Sequence, residues 1–420
     1  MSQDIQAYCT DLATRARRAA LALSDVPAER FDAALELAAR RIDDSTDSLR
    51  RENNKDLEAG RKASLSSALI DRLTLTPTRL KGIAQSLREV AALPCPRGKV
   101  QDGWVMYNGL RLSKVRVPIG VILMIYESRP NVTTEAAALC LKSGNAVILR
   151  GGKEAYHTNV ALWKIVQQAM TECDIPAEAV QLVETTDREA VGTLLAMDSH
   201  IDVTIPRGGK ALIERVVSEA RMPVIKHYKG VCHVYVDRSA NLNMALSICE
   251  NAKCQRPGVC NAMETLLVHR DIAEQFLPQV ARCLSAEGVE LRGCATSRKL
   301  VPEMGVAGQD DWRREYLDLV LSVRVVDALD EAIDHINTFG SHHTDAILTS
   351  TLAPAETFKR RVDSACVFVN CSTRFSDGGQ FGLGAEIGIS TDKIHARGPM
   401  GLTDLTTYKY VVEGDGQIRT

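Results

Sequence analysis

Cysteine recurs 12 times in these 420 residues, and one instance, Cys260, stands where a thiol could attack an electrophile. It follows the turn in Gln255-Arg256-Pro257-Gly258-Val259-Cys260-Asn261 and precedes an apolar run at 265–268 that predicts the start of a buried strand. Pro257 and Gly258 would hold the loop tight and let a ligand approach the backbone, and Arg256 would bring a cation toward the sulfur, favouring the thiolate. The competing reading is that a cysteine is simply a small buried hydrophobe. Cys254, inside the helical run before the turn, fits that reading better than Cys260 does.

Two loops have the chemistry of phosphate binding. Arg150-Gly151-Gly152-Lys153 follows a predicted strand, and Pro206-Arg207-Gly208-Gly209-Lys210 joins a strand to a helix, so backbone amides and cations gather at a helix start. Neither is the G-x-G-x-x-G fingerprint, and either could be an ordinary tight turn. Tyr126-Glu127-Ser128-Arg129-Pro130-Asn131 falls between a strand and the next helix; Asn131 is either a helix cap or an amide able to stabilise an oxyanion. The histidines lack metal-ligand spacing along the chain, with His342 and His343 adjacent and no paired C-x-x-C, so no metal site is expected.

The elements that must carry these loops can be read in order. Residues 4–92 are helical in period, and 99–117 alternate apolar and polar about an Asn108-Gly109 turn, a hairpin signal. Strand and helix then alternate: strands at 119–125, 146–149, 180–183, 201–205 and 223–226, with helices at 132–142, 158–171, 188–197 and 210–220. An open, doubly wound parallel sheet follows, with its ligands at the carboxyl ends of the strands. A second α/β series runs from 240 to 370, with strands at 265–268, 320–326, 344–348 and 366–370 and helices at 240–252, 273–284, 329–339 and 353–361, and the tail at 406–412 predicts a further edge strand.

Composition narrows the function. A hydrophobic share of 45% in a chain this long supports two or more cores. A formal net charge of −2 leaves no surplus of cations for nucleic acid or an anionic membrane. The longest apolar runs are about half what a membrane-spanning helix needs, and the N-terminus lacks a secretory pattern, so a cytoplasmic protein with reduced thiols is expected.

With these residues in view, the chain resembles the aldehyde dehydrogenase superfamily, and within it the branch that reduces acyl phosphates. The segments that carry the resemblance are Pro118-Ile-Gly-Val121, Ile125-Tyr-Glu-Ser-Arg-Pro-Asn131, Ser143-Gly-Asn-Ala-Val-Ile-Leu-Arg-Gly-Gly-Lys153, Ile205-Pro-Arg-Gly-Gly-Lys210, Cys232-His-Val-Tyr-Val-Asp237, the Cys260 loop and Phe381-Gly-Leu-Gly-Ala-Glu386. The resemblance implies an α/β protein: a Rossmann-like NADPH-binding domain (1–97 and 118–229), a catalytic domain with the cysteine nucleophile (230–385), and a small β oligomerisation flap (98–117 and 400–415). It implies NADPH-dependent reduction of L-glutamyl 5-phosphate to L-glutamate 5-semialdehyde, with loss of phosphate, in proline biosynthesis.

Cys260 matches the family nucleophile, with Asn131 and the Cys260 amide as the oxyanion hole. Arg150 stands where most members have a lysine on the adenosine ribose. Lys153, Pro206, Arg207, Gly208 and Gly209 complete the cofactor set, their cations suiting a 2′-phosphate and hence NADPH over NADH. Glu315 resembles the glutamate that holds the nicotinamide ribose. For the substrate, Arg129, Arg256 and Arg374 are candidates for the acidic ends and Glu127 for the ammonium, each equally readable as a surface ion pair. Oxidising members carry Glu-Leu-Gly-Gly-Lys before the nucleophile, where this chain has His227-Tyr-Lys-Gly-Val-Cys232, so the hydrolytic base is missing. The resemblance further implies a homodimer or homotetramer and a possible association with glutamate 5-kinase. A CoA-acylating aldehyde dehydrogenase, which also dispenses with the base, is the alternative activity, and an idle scaffold is the alternative outside enzymes.

Overall fold

The structure is a computed structural model that describes residues 4–419. Helices α1 (Ile5–Ala22), α2 (Ala28–Asp44), α3 (Thr46–Lys62), α4 (Ser67–Leu73) and α5 (Pro77–Ala92) precede a hairpin of β1 (Val100–Val105) and β2 (Arg111–Pro118). The alternating series follows: β3 (Val121–Tyr126), α6 (Asn131–Lys142), β4 (Ala146–Gly151), α7 (Tyr156–Glu172), β5 (Val180–Leu182), α8 (Glu189–Leu195), β6 (Val203–Arg207) and α9 (Lys210–Glu219). The second series is β7 (Cys232–Val236), α10 (Leu242–Cys254), β8 (Met263–His269), α11 (Arg270–Ala286), β9 (Glu290–Gly293), α12 (Ala295–Leu300), β10 (Gly305–Val306) and β11 (Val320–Val326). It continues through α13 (Leu329–Phe339), β12 (Thr344–Leu348), α14 (Leu352–Arg361) and β13 (Cys366–Val369), and the chain closes with β14 (Gly388–Ser390), β15 (Gly398–Met400) and β16 (Thr406–Glu413).

The chain divides into two compact units. The first runs to Lys226 and takes back Gly382–Gly388 and the chain from Met400; the second is His227–Phe381 with Ile389–Pro399. The boundary thus falls three residues before the 229/230 junction expected from the sequence, which puts His227 in the same unit as Cys260. The hairpin and tail strands cluster within the first unit and do not form a unit of their own.

In the first unit the sheet order is β5-β4-β3-β6, every pair parallel. The chain winds outward from β3 through β4 to β5 and then returns to the other side of β3 as β6. The carboxyl ends of β3 and β6 are therefore a topological switch point, the place where an open α/β sheet offers a crevice. β3, Val-Ile-Leu-Met-Ile-Tyr, is buried along its whole length. Its Val121, Leu123 and Ile125 pack with Leu12 and Ala16 of α1 and Leu194 of α8, each Val, Leu or Ile side chain contributing about 1.5–3 kcal/mol by leaving water. The strand predicted at 223–226 is reduced to a single bridge between Thr204 and Val224.

The second unit holds seven parallel strands ordered β10-β9-β11-β8-β7-β12-β13. β7 and β8 are buried at every residue, as near-continuous Val and Leu runs require when helices cover both faces. β9, α12 and β10 were not foreseen; they are too short for periodicity to reveal.

β1, β2 and β16 form an antiparallel sheet in the first unit, turned at Asn108-Gly109, where Gly109 has φ +86°. All of β1 and all of β16 after Thr406 is exposed.

Candidate active site

Cys260 lies half-buried three residues ahead of β8, and the geometry of the second unit explains what surrounds it. β8, β7 and β12 are adjacent and parallel, so the segments entering them converge at one edge of the sheet. Those segments carry Cys260, His227 with Gly230, and His343 respectively. One ligand atom from each of His227, Cys260 and His343 falls within 4.8 Å of the other two. Chain spacing gave no sign of this cluster, and the expectation that the histidines do not gather fails in space. The cysteine therefore sits at the amino edge of its strands, as the Pro-Gly turn before β8 implied.

The loop is held from both sides. The entry to β7 passes so close that a Cβ on Gly230 would lie 1.7 Å from the Cys260 carbonyl oxygen, so only glycine can stand there. The Gly230 amide donates to Glu315 Oε1 at 2.7 Å. Glu315 is in turn placed by Glu264, whose Oε1 accepts from the amides of Tyr316 at 3.1 Å and Leu317 at 3.0 Å. Burial pushes the Glu264 carboxyl up to about 7, opposed by Lys253, whose ammonium donates to Oε2 at 2.7 Å in a fully buried pair. Burial likewise raises Glu315 above the usual carboxylate range. Beneath the loop the Cys232 thiol donates to the Cys260 carbonyl at 3.2 Å, and burial keeps that thiol far above its ordinary pKa.

On the other side Arg374 brackets the loop. Its Nε donates to Gln255 Oε1 at 2.8 Å and its Nη1 donates to Asn261 Oδ1, while Asn261 Nδ2 donates to the Ser376 carbonyl at 2.8 Å. Burial, and then the neighbouring Arg256 cation, hold Arg374 below its ordinary pKa. Two candidate substrate arginines thus stand together beside Cys260 in one unit; Arg256 is exposed and Arg374 half-buried.

In the first unit the switch point brings the other candidates together. The Glu127 amide donates to the Arg207 carbonyl at 3.1 Å, and the Gly209 amide donates to Glu127 Oε2 at 3.0 Å. The carboxylate proposed for a substrate ammonium is therefore occupied in shaping the Pro206–Gly209 loop. A Cβ on Gly208 would meet Glu127 Oε2 at 2.5 Å, so a larger residue there would have to move that carboxylate. Ser128, at φ +43°, is pinned by Glu154 Oε1, which accepts from its amide at 2.7 Å and its hydroxyl at 2.8 Å. Arg129 is exposed on this loop.

Asn131 is not a helix cap, because Pro130 holds the N-cap position and Asn131 is the first residue of α6. Its Nδ2 donates to Glu135 Oε1 at 2.9 Å, which leaves the second amide proton to give. Glu135 has its pKa raised by burial, against the Asn131 bond and the Arg207 and Arg129 cations.

Arg150 is buried at the end of β4, with Nη1 donating to the Gly151 carbonyl at 2.5 Å, Nη2 to the Thr186 carbonyl at 3.4 Å and Nε without a partner. Thr185 and Thr186, with Tyr8, Tyr156 and Glu184, line an open pocket of about 630 Å³. An orphaned cationic N–H on Arg150, exposed Lys153 and the Gly208 backbone ahead of α9 form a donor set suited to a dinucleotide phosphate, while the Gly209 amide is already given to Glu127.

His227, His343, Gly230, Glu135 and the Lys253–Glu264 pair escaped the reading of the sequence. His227 lies in the stretch that lacks the hydrolytic base, and histidine spacing along the chain carries no sign of its neighbours in space.

The model of the aldehyde dehydrogenase family matches residues 3–289 of this chain. The chain belongs to the aldehyde dehydrogenase family, and its paired parallel sheets are that family's fold. Within the family it is similar over its whole length to gamma-glutamyl phosphate reductase from Thermotoga maritima, at 44% identity and a TM-score of 0.96, covering 98% of this chain and 100% of that one. Gamma-glutamyl phosphate reductase from Saccharomyces cerevisiae is 31% identical, with a TM-score of 0.55 and 98% of each chain covered. An acetylating aldehyde dehydrogenase from Geobacillus thermoglucosidasius shares the fold at 16% identity and a TM-score of 0.71, covering 99% of this chain and 98% of that one.

Proposed function

We propose that this protein is an NADP-dependent glutamate-5-semialdehyde dehydrogenase that reduces L-glutamyl 5-phosphate to L-glutamate 5-semialdehyde and releases phosphate. The observation that carries the reading is full-length similarity to two gamma-glutamyl phosphate reductases, combined with a half-buried Cys260 on a loop fixed from every side.

The Cys260 thiolate attacks the acyl carbon, the C–O bond to phosphate breaks, and phosphate departs to leave a thioester. Oxyanion charge in that step is assigned to the Cys260 amide and to the amide proton of Asn131 left over from Glu135. When bound, NADPH supplies the hydride for reduction of the thioester. Collapse of the resulting adduct on Cys260 releases the aldehyde and returns the thiolate. Arg256 and Arg374 suit the phosphate or α-carboxylate, and Arg129 is the third candidate. Arg150, Lys153, Arg207 and the Pro206–Gly209 loop are the proposed cofactor set, their cations favouring a 2′-phosphate, with Glu315 proposed for the nicotinamide ribose. Glu127 supports the substrate ammonium less well, given its bond to the Gly209 amide.

Among the described residues no helix is long and apolar enough to cross a membrane, and the proposed setting is the cytoplasm. The exposed β1-β2-β16 sheet supports a homodimer or homotetramer, and association with glutamate 5-kinase is proposed because an acyl phosphate is short-lived in water. The reverse reaction tests the activity: oxidation of glutamate semialdehyde should require inorganic phosphate, run faster with NADP+ than with NAD+, and vanish in Cys260→Ser. Turnover that needs coenzyme A in place of phosphate would instead make this an acylating dehydrogenase.

A further inference from the structure

The amino edge of β8-β7-β12 gathers one sulfur and two imidazoles, and soft divalent cations prefer that donor set. His227, Cys260 and His343 each bring one ligand atom within 4.8 Å of the other two. Zinc takes thiolate sulfur at about 2.3 Å and imidazole nitrogen at about 2.0–2.1 Å, so modest side-chain rotation would close this triangle onto one ion. Three protein ligands would leave the fourth tetrahedral position open.

The surroundings of both rings favour the role. His227 Nδ1 lies 2.9 Å from the Ile389 carbonyl, which can only accept, so Nδ1 carries the proton and the ring's lone pair is on Nε2. His343 Nδ1 lies 2.8 Å from Thr344 Oγ1, and that hydroxyl donates to Ser376 Oγ at 2.8 Å, so it accepts from Nδ1–H and again leaves the lone pair on Nε2. A ligating histidine with its other nitrogen donating to a carbonyl or hydroxyl is the usual outer arrangement of a metal site. The ring centroids are 5.6 Å apart and nearly perpendicular, at 74°, so both rings border one small volume.

We propose that His227, Cys260 and His343 form a reversible Zn2+ site that switches the nucleophile off. This rests on the reading of Cys260 as the nucleophile. The bound ion would draw on the sulfur lone pair that must attack the acyl carbon, and exchange of a buffer ligand or chelator at the open position would release it.

The test uses full-length protein stripped of metal and titrated with Co2+ alone, with no substrate or cofactor. Expected are one equivalent of Co2+ bound, a thiolate-to-cobalt charge-transfer band, tetrahedral visible bands, and displacement by one equivalent of Zn2+. Cys260→Ser should abolish the charge-transfer band, and His227→Gln should weaken affinity more than about ten-fold. His227 is half-buried, so this variant keeps the test valid even if a change at buried His343 unfolds the unit. Zn2+ should inhibit turnover over the concentration range in which it displaces Co2+, and a chelator should restore full rate. No charge-transfer band, a band that persists in Cys260→Ser, or unchanged affinity in His227→Gln overturns the site. Because the spectrum is recorded without turnover, a protein that binds Co2+ as described but reduces no acyl phosphate keeps the metal site and loses the functional reading. A protein that turns over and shows no band loses the site alone.

Discussion

At the residue scale, Cys260 and Asn131 are the side chains proposed for acyl transfer, and the second is held by a partner that does no chemistry itself. Asn131 is oriented by a carboxylate one helical turn away, at Glu135. Losing one oxyanion donor costs about 10²–10³ in kcat, so Asn131→Ala should lower kcat by that factor with KM nearly unchanged in steady-state assays. Glu135→Ala removes only the orienting bond and should lower kcat by a smaller factor. The Pro-Gly turn before Cys260 fits a small buried hydrophobe as well as a nucleophile, and only the resemblance carried by the segments around it singled this cysteine out. The carboxylate behind Asn131 could not be picked out, because only the turn of α6 brings residue 135 beneath residue 131.

At the element scale, the site depends on how strands enter their sheets. Gly230 is the tightest point, since a methyl group would overlap the Cys260 carbonyl oxygen and also approach its carbonyl carbon at 2.5 Å. Backbone atoms on both sides cannot give way cheaply, so Gly230→Ala should displace the Cys260 loop and remove most activity. Circular dichroism and activity measured together would check this; a well-folded Gly230→Ala protein with full activity would contradict the placement.

The helix after β11 makes a second prediction. His335 of α13 is buried between Trp312 and Phe339, with Arg324 Nη1 donating to its Nδ1 at 3.0 Å. Burial first, then the His233 and Arg324 charges, depress its pKa to about 2. The unfolded chain binds a proton here below about pH 6.5 while the folded chain does not. Its contribution is therefore intact above that pH and lost as pH falls, by up to about 1.4 kcal/mol per unit. His335→Gln, which keeps an acceptor for Arg324, should flatten the fall in urea-unfolding stability between about pH 6.5 and 4.5.

Element boundaries in the second unit were legible where the periodic run was long: the ranges of β11, α13 and β12 match the sequence reading residue for residue. They were illegible where strands are short or where the deciding contact is remote, as for β9 and for the meeting of His227 with Cys260.

At the scale of the whole molecule, the proposed oligomer is best tested at the β1-β2-β16 sheet. Trp104, Val105, Tyr107, Tyr410 and Val412 are exposed on it, and a narrow sheet open to water on both faces is marginal by itself. The proposed second copy of the chain would cover it. Tyr410→Glu with Val412→Lys should shift sedimentation toward the monomer and lower the thermal midpoint, leaving the Cys260 loop chemically intact. The sequence showed this hairpin clearly through alternation and Asn108-Gly109, and its exposure followed only once the strands were seen to lack a covering layer.

The proposed activity turns on a covalent step at one sulfur. Rapid mixing of the protein with glutamate semialdehyde and NADP+ in phosphate-free buffer should give a burst of one NADPH per chain and then stop, with an acyl group on Cys260 by mass spectrometry; added phosphate should start steady turnover. Steady turnover without any acceptor, or a full burst in Cys260→Ala, would contradict it.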